Sequence, residues 1–141
     1  MSKDGRGTRM LLASYRQQMR MVKAQQDLLE ELRGMHPPAG AVVGGGGSTP
    51  GNPTERIVLR LAREESVLQQ LQVILAWRRS VVQLYIDNVE DSQIRLFLVR
   101  RYLRGFSWKK IAVQQGAGAS ESTVRMAVVR YTNRHPITWI C

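Results

Sequence analysis

Between Thr54 and Ile86 an apolar rhythm of seven residues runs with few breaks. Leu61, Leu68, Leu75 and Val82 mark one heptad position, Ile57, Leu71 and Tyr85 the complementary one, and Val67, Ile74 and Val81 widen the stripe. One long α-helix satisfies that spacing; a strand does not, because its side chains alternate every two residues. A helix of about 32 residues would measure about 48 Å. Thr54 is the expected N-cap, with Glu55 in the first turn beside the positive end of the helix dipole. Glu64 and Arg78 interrupt the second seam, so a regular two-stranded coiled coil is not expected. A stripe this broad needs more than one neighbour, either an earlier helix folding back or a second subunit.

The earlier helix is expected from about Thr8 to Arg33, where Leu11, Tyr15, Met19, Val22, Leu29 and Leu32 recur at steps of three, four and seven. Gly34 and then Pro37-Pro38 end it. Residues 34–53 carry no Lys, Arg, Asp or Glu and include the run Gly44 to Gly47. A phosphate-binding loop would need a lysine here, and Pro50 and Pro53 stand where its helix would begin. The segment therefore reads as a flexible linker with a reach of about 25 Å.

After Asn88-Val89-Glu90-Asp91 the period breaks. Asp91 or Ser92 can cap a third helix, to about Leu103, with Ile94, Phe97, Leu98 and Tyr102 inward. Gly105 sits where a helix end favours a left-handed residue. Ser107 caps a short helix to about Gln115, burying Trp108, Ile111 and Ala112. Ser120 caps the last helix, to about Thr132, burying Val124, Val128 and Tyr131. No alternating strand pattern of any length exists, so the expected fold is all-α. Four segments are expected: a helix in 1–33, the linker 34–53, a long amphipathic oligomerisation helix in 54–90, and a helix-turn-helix domain in 91–141.

Charge indicates what such a domain would meet. The chain has 21 Lys+Arg against 11 Asp+Glu, a net charge of +10. Nine basic and two acidic residues fall within 91–141, whereas 54–90 is balanced at five of each. An excess so placed favours a polyanion, with double-stranded DNA the first candidate. In a helix-turn-helix the last helix enters the major groove. Its outward side would carry Ser122, Thr123, Arg125, Met126, Val129 and Arg130. Arg125 suits bidentate pairing with guanine, and Ser122 and Thr123 suit phosphates or base edges. Lys109, Lys110, Arg130 and Arg134 suit phosphates, which position the protein without reading sequence.

Other classes fit less well. Cys141 is the single cysteine, so neither an internal disulfide framework nor a cysteine-based metal site is expected. His36 and His135 lack acidic or nucleophilic partners at useful spacing and read as surface residues beside prolines, so no enzyme, metal or cofactor is expected. The first residues lack the apolar core of a signal peptide, and no run approaches the roughly 20 apolar residues of a membrane span. A cytoplasmic, nucleoid-associated protein is the expectation.

Three stretches carry a resemblance: Tyr-Ile-Asp-Asn-Val-Glu-Asp-Ser-Gln-Ile-Arg (85–95), Arg-Arg-Tyr-Leu-Arg-Gly-Phe-Ser-Trp-Lys-Lys-Ile-Ala (100–112) and Ser-Thr-Val-Arg-Met-Ala-Val-Val-Arg-Tyr (122–131). Over about residues 81–134 the chain resembles small phage-encoded transcriptional regulators of the RinA/ArpU type. The same unit is similar to region 4 of bacterial sigma factors. The resemblance implies a DNA-binding regulator of late phage or prophage genes; the two long helices would make it a homodimer or larger homo-oligomer and could offer a surface to RNA polymerase. The stretch from Gln115 to Ser120 is longer than the usual turn between the two helices of such a unit. Two other readings share the layout: a small terminase-type packaging protein, and a helical adaptor whose main partner is RNA polymerase.

Overall fold

The computed structural model describes residues 5–35 and 53–138. Most of the 34–53 linker, His36 and Cys141 lie outside those residues. The described residues are helical, without a strand. The elements are α1 (Arg6–Met35), α2 (Pro53–Asp87), α3 (Ser92–Leu98), a π-helical turn (Val99–Leu103), α4 (Trp108–Gln115) and α5 (Glu121–Arg134).

The chain divides into two compact units, Met1–Gln18 with Leu75–Cys141, and Met19–Ile74. This division cuts across the four segments drawn from the sequence, because α1 and α2 each contribute to both units. Within the Met19–Ile74 unit, the first seam interruption meets a glutamine. Gln25 Nε2 donates to Glu64 Oε2 at 2.6 Å and to the Glu64 carbonyl at 2.9 Å. Val22, Leu29 and Leu32 are buried here, whereas Val58, Leu59, Val73 and Ile74 remain exposed. In the other unit Arg78, the second interruption, donates from Nη1 to Gln18 Oε1 at 3.0 Å and to the Ser14 carbonyl at 3.3 Å. Both polar breaks in the α2 stripe thus meet a polar partner on the same chain's α1, which removes the cost of burying them unpaired.

The core of the Met1–Gln18 and Leu75–Cys141 unit gathers Leu12, Val82, Ile86, Leu98, Ile111, Val124 and Val128, each fully buried or nearly so. α5 packs on α3 and α4, and α4 on the π-helical turn.

Several expectations require correction. α2 begins at Pro53, so Thr54 is inside the helix rather than its cap; proline at a first helical position has no N–H to leave unsatisfied. At the start of α1 it is Leu12 that is fully buried, with its neighbour Leu11, expected inward, only half-buried. The helix expected over 92–103 is α-helical only to Leu98, and its last turn widens, closed by Arg104 N–H to the Val99 carbonyl at 3.0 Å. Gly105 follows at φ +74°, and Phe106 N–H returns to the Arg100 carbonyl at 2.8 Å.

Candidate nucleic-acid interface

α4 is short and needs help at both ends. Ser107 caps it, its hydroxyl accepting the Lys110 N–H at 3.1 Å. Trp108, expected in the core, is only half-buried, and the Arg101 guanidinium lies over its ring at 4.5 Å. Arg101 also donates to the Phe106 carbonyl at 3.2 Å, and so pins the loop that leads into α4. Lys110 Nζ sits 3.9 Å from the Phe106 ring centre. Each pair keeps a cation at the surface on an aromatic support. Lys109 is exposed.

The turn into α5 closes on its own backbone. Gly116, Ala117 and Gly118 all have positive φ, at 66°, 51° and 75°. Ala119 N–H closes on the Gly116 carbonyl at 3.0 Å. The result is a four-residue turn with left-handed backbone at both central positions. Ser120 then caps α5, accepting the Thr123 N–H at 3.1 Å and sharing a 2.7 Å hydroxyl contact with Thr123 Oγ1.

Val124 and Val128 are buried as expected, but Tyr131 is only half-buried, and Thr132 takes the next inward place with no exposure. Its hydroxyl donates to the Val128 carbonyl at 2.8 Å, which satisfies the one polar group that burial would orphan. Ser122, Thr123, Arg125, Arg130 and Arg134 are exposed; Met126 and Val129 are half-buried. These residues spread over the whole outward half of the helix. At 100° per residue, Arg125 lies about 140° around the axis from Arg130 and about 180° from Arg134. The basic side chains of α5 therefore stand on two flanks.

The flank bearing Arg130 and Arg134 borders an open groove of about 740 Å³, whose lining includes Glu90, Asp91, Ile94 and Tyr131. Burial, and then the charges of Glu90 and Asp91, push the Tyr131 hydroxyl up. Asp91 also caps α3, its Oδ1 accepting the N–H groups of Gln93 and Ile94 at 2.9 and 3.2 Å.

The sequence did not reveal what holds the far end of α5. Gly5 N–H donates to Asn133 Oδ1 at 2.6 Å. Arg9 Nη1 donates to Thr132 Oγ1 at 2.8 Å, to Asn133 Oδ1 at 2.9 Å and to the Val129 carbonyl at 3.4 Å. Thr8 Oγ1 accepts the Ile137 N–H at 2.9 Å. A Cβ on Gly5 would overlap the Thr132 carbonyl group, so glycine is what lets the strand of contacts close. Two residues of the resembling stretches make contacts that hold the fold. Tyr85 donates its hydroxyl to the His135 carbonyl at 2.8 Å, and Arg95 holds the Val89 carbonyl.

Among the described residues no group of His, Cys, Asp and Glu could hold a metal ion, and no helix is long and apolar enough to cross a membrane. His135 is exposed. Comparisons with protein-family models, curated proteins and solved structures give no match to this chain.

Proposed function

We propose that the chain is a sequence-specific DNA-binding transcriptional regulator in which α4 and α5 act as a helix-turn-helix of the sigma region 4 kind. The observation that carries this reading is α5 itself. It is capped at its start, buried along Val124, Val128 and Thr132, and leaves Ser122, Thr123 and Arg125 exposed in a segment with nine basic and two acidic residues. At about 21 Å it is long enough to lie in a major groove about 12 Å wide. Arg125 is the base-edge candidate, and Met126 and Val129 flank it. Lys109, Lys110, Arg130 and Arg134 supply phosphate contacts. No catalytic group or cofactor enters this reading. The exposed apolar residues of α2 support homo-oligomerisation through the long helices. The likeness of residues 81–134 to RinA/ArpU-type regulators suggests late phage genes as targets, in the host cytoplasm.

The test is binding to duplexes recovered by in vitro selection from a random pool, followed by fluorescence anisotropy across a salt series. Affinity should fall steeply with salt, as several phosphates are neutralised. Arg125→Ala should cost about 1–3 kcal/mol on the selected site and relax preference at one base pair. Lys109→Ala should weaken all duplexes about equally. Failure of the pool to converge, with Arg125→Ala silent on every duplex, would overturn the reading.

A further inference from the structure

The end of α2 carries a hole for a side chain and, beside it, a side chain suited to such a hole. Within the unit that holds α5, the inward side of α2 is Val81, Val82, Tyr85 and Ile86, all buried. On the outward side Trp77 and Leu84 are exposed at 51% and 50%. A concavity of about 540 Å³ lies there, lined by Arg79, Ser80, Gln83, Leu84 and Asp87. Ser80, Gln83, Leu84 and Asp87 stand at i, i+3, i+4 and i+7, neighbours on one helix face, and four such residues form the hole that receives a knob from a facing helix. Ser80 keeps the hole open, since its side chain is small and turns back to donate to the Ala76 carbonyl at 3.0 Å.

We infer that a second copy of this chain docks here, with the Trp77 of each copy seated in the hole of the other. This rests on the homo-oligomer of the proposed function and names its contact surface. Charge favours a like copy. Residues 54–90 hold five charges of each sign, whereas the whole chain carries +10. Two copies of so basic a chain repel one another least across a neutral face, and such a face gives a polyanion no grip. The hole also complements an indole. Asp87 Oδ1 accepts from Gln83 Nε2 at 2.9 Å, and a carboxylate retains further acceptor sites for an indole N–H. The Arg79 guanidinium is the cation that an indole ring attracts. Tryptophan is also among the residues that concentrate binding energy at interfaces.

Geometry fixes the direction. Each Trp77 opposes about residues 83–84 of the other α2, and both can do so at once only when the helices run antiparallel. The twofold axis then passes beside Ser80, whose small side chain allows close approach. An isologous contact of this kind closes as a dimer. Because α5 belongs to the same unit as Trp77, the same axis relates the two α5 helices, the symmetry of a protein that reads paired half-sites.

The test combines cross-linking with sedimentation, both on the full chain, with Cys141→Ser as the background for the cysteine variants. Ser80→Cys should form a disulfide-linked dimer under mild oxidation, since residues facing each other at the axis meet the Cα separation of about 4.4–6.8 Å that the bond needs. Ala76→Cys should not link to itself, because its two copies lie about 13 Å apart along the helices. An equal mixture of Ala76→Cys and Leu84→Cys should yield the mixed dimer. Trp77→Ala should raise the dimer dissociation constant about tenfold or more, with helical content by circular dichroism unchanged.

Self-linking of Ala76→Cys as readily as Ser80→Cys would overturn the inference, as would an oligomeric wild-type chain whose association Trp77→Ala left unaltered. A wild-type chain that sedimented as a monomer at high concentration would instead remove the homo-oligomer itself. Sedimentation of the wild type thus separates the two failures.

Discussion

Arg9 and Thr132, 123 positions apart in the chain, are joined by a 2.8 Å hydrogen bond from a guanidinium nitrogen to a hydroxyl that is itself fully enclosed. The same nitrogen reaches Asn133 Oδ1, which also accepts the Gly5 N–H. The opening turn of α1 is thereby part of the support of α5.

Breaking that clasp should be costly. Arg9→Ala removes the charge-assisted donor to Thr132 and Asn133 and should destabilise the chain by about 1–3 kcal/mol. Gly5→Val should cost at least as much, since its side chain has nowhere to go beside the Thr132 carbonyl. Urea denaturation measures both; an unaltered midpoint for Gly5→Val would show that the clasp is dispensable.

The turn between α4 and α5 makes an opposed pair of predictions. Gly116 adopts φ 66° and ψ −157°, a region that is essentially glycine-only, although no atom crowds it. Gly116→Ala should therefore destabilise by about 1–3 kcal/mol through backbone strain alone. Ala117, at φ 51°, already bears such strain, and Ala117→Gly should relieve up to about 1 kcal/mol. Melting temperatures that moved in the same direction for both variants would contradict this geometry.

Alkali should unfold the protein in a way that tyrosine explains. Burial pushes the Tyr85 and Tyr102 hydroxyls up, the former far above its usual value of 10. The folded chain thus holds these protons more tightly than the unfolded one. The stability they contribute is fully present below about pH 10 and is lost as the pH rises toward the folded-state values. Tyr85→Phe should lower stability at pH 7 by about 1 kcal/mol, through loss of the bond to the His135 carbonyl, and flatten the alkaline decline. A decline equally steep in the variant would assign it to other groups.

Self-association should depend on the outward face of α2 within the Met19–Ile74 unit. Leu59 and Val73 are exposed at 64% and 70%, more than a solvent-facing helix requires. Leu59→Glu with Val73→Glu should shift sedimentation toward the monomer. A wild-type chain already monomeric at high concentration would remove the oligomeric part of the proposal.

The helices were legible in the sequence because their signals are local. The caps at Asp91, Ser107 and Ser120 and the left-handed stop at Gly105 each depend on neighbours within four residues. The π-helical turn was not legible, since widening one turn leaves no compositional mark. Nor could periodicity place Trp108, which lies at a buried register position but shares it with the Arg101 side chain. The clasp on α5 was hidden for a further reason. Gly5, Thr8 and Arg9 look like ordinary surface residues until the last helix is beside them. Spacing alone put most of the candidate DNA residues on exposed positions, Met126 and Val129 being half-buried, but it did not reveal that Glu90 and Asp91 would line one groove with Arg130 and Arg134.

The clasp also dictates an order of events at the ribosome. Thr8 and Arg9 are synthesised well over a hundred residues before their partners, Val129 to Ile137. A nascent chain can build α1 and α2 as it emerges, but the opening turn of α1 stays without these partners until α5 has been made. A chain cut short before Val129 would carry every other helix start and still lack the closure of its first one.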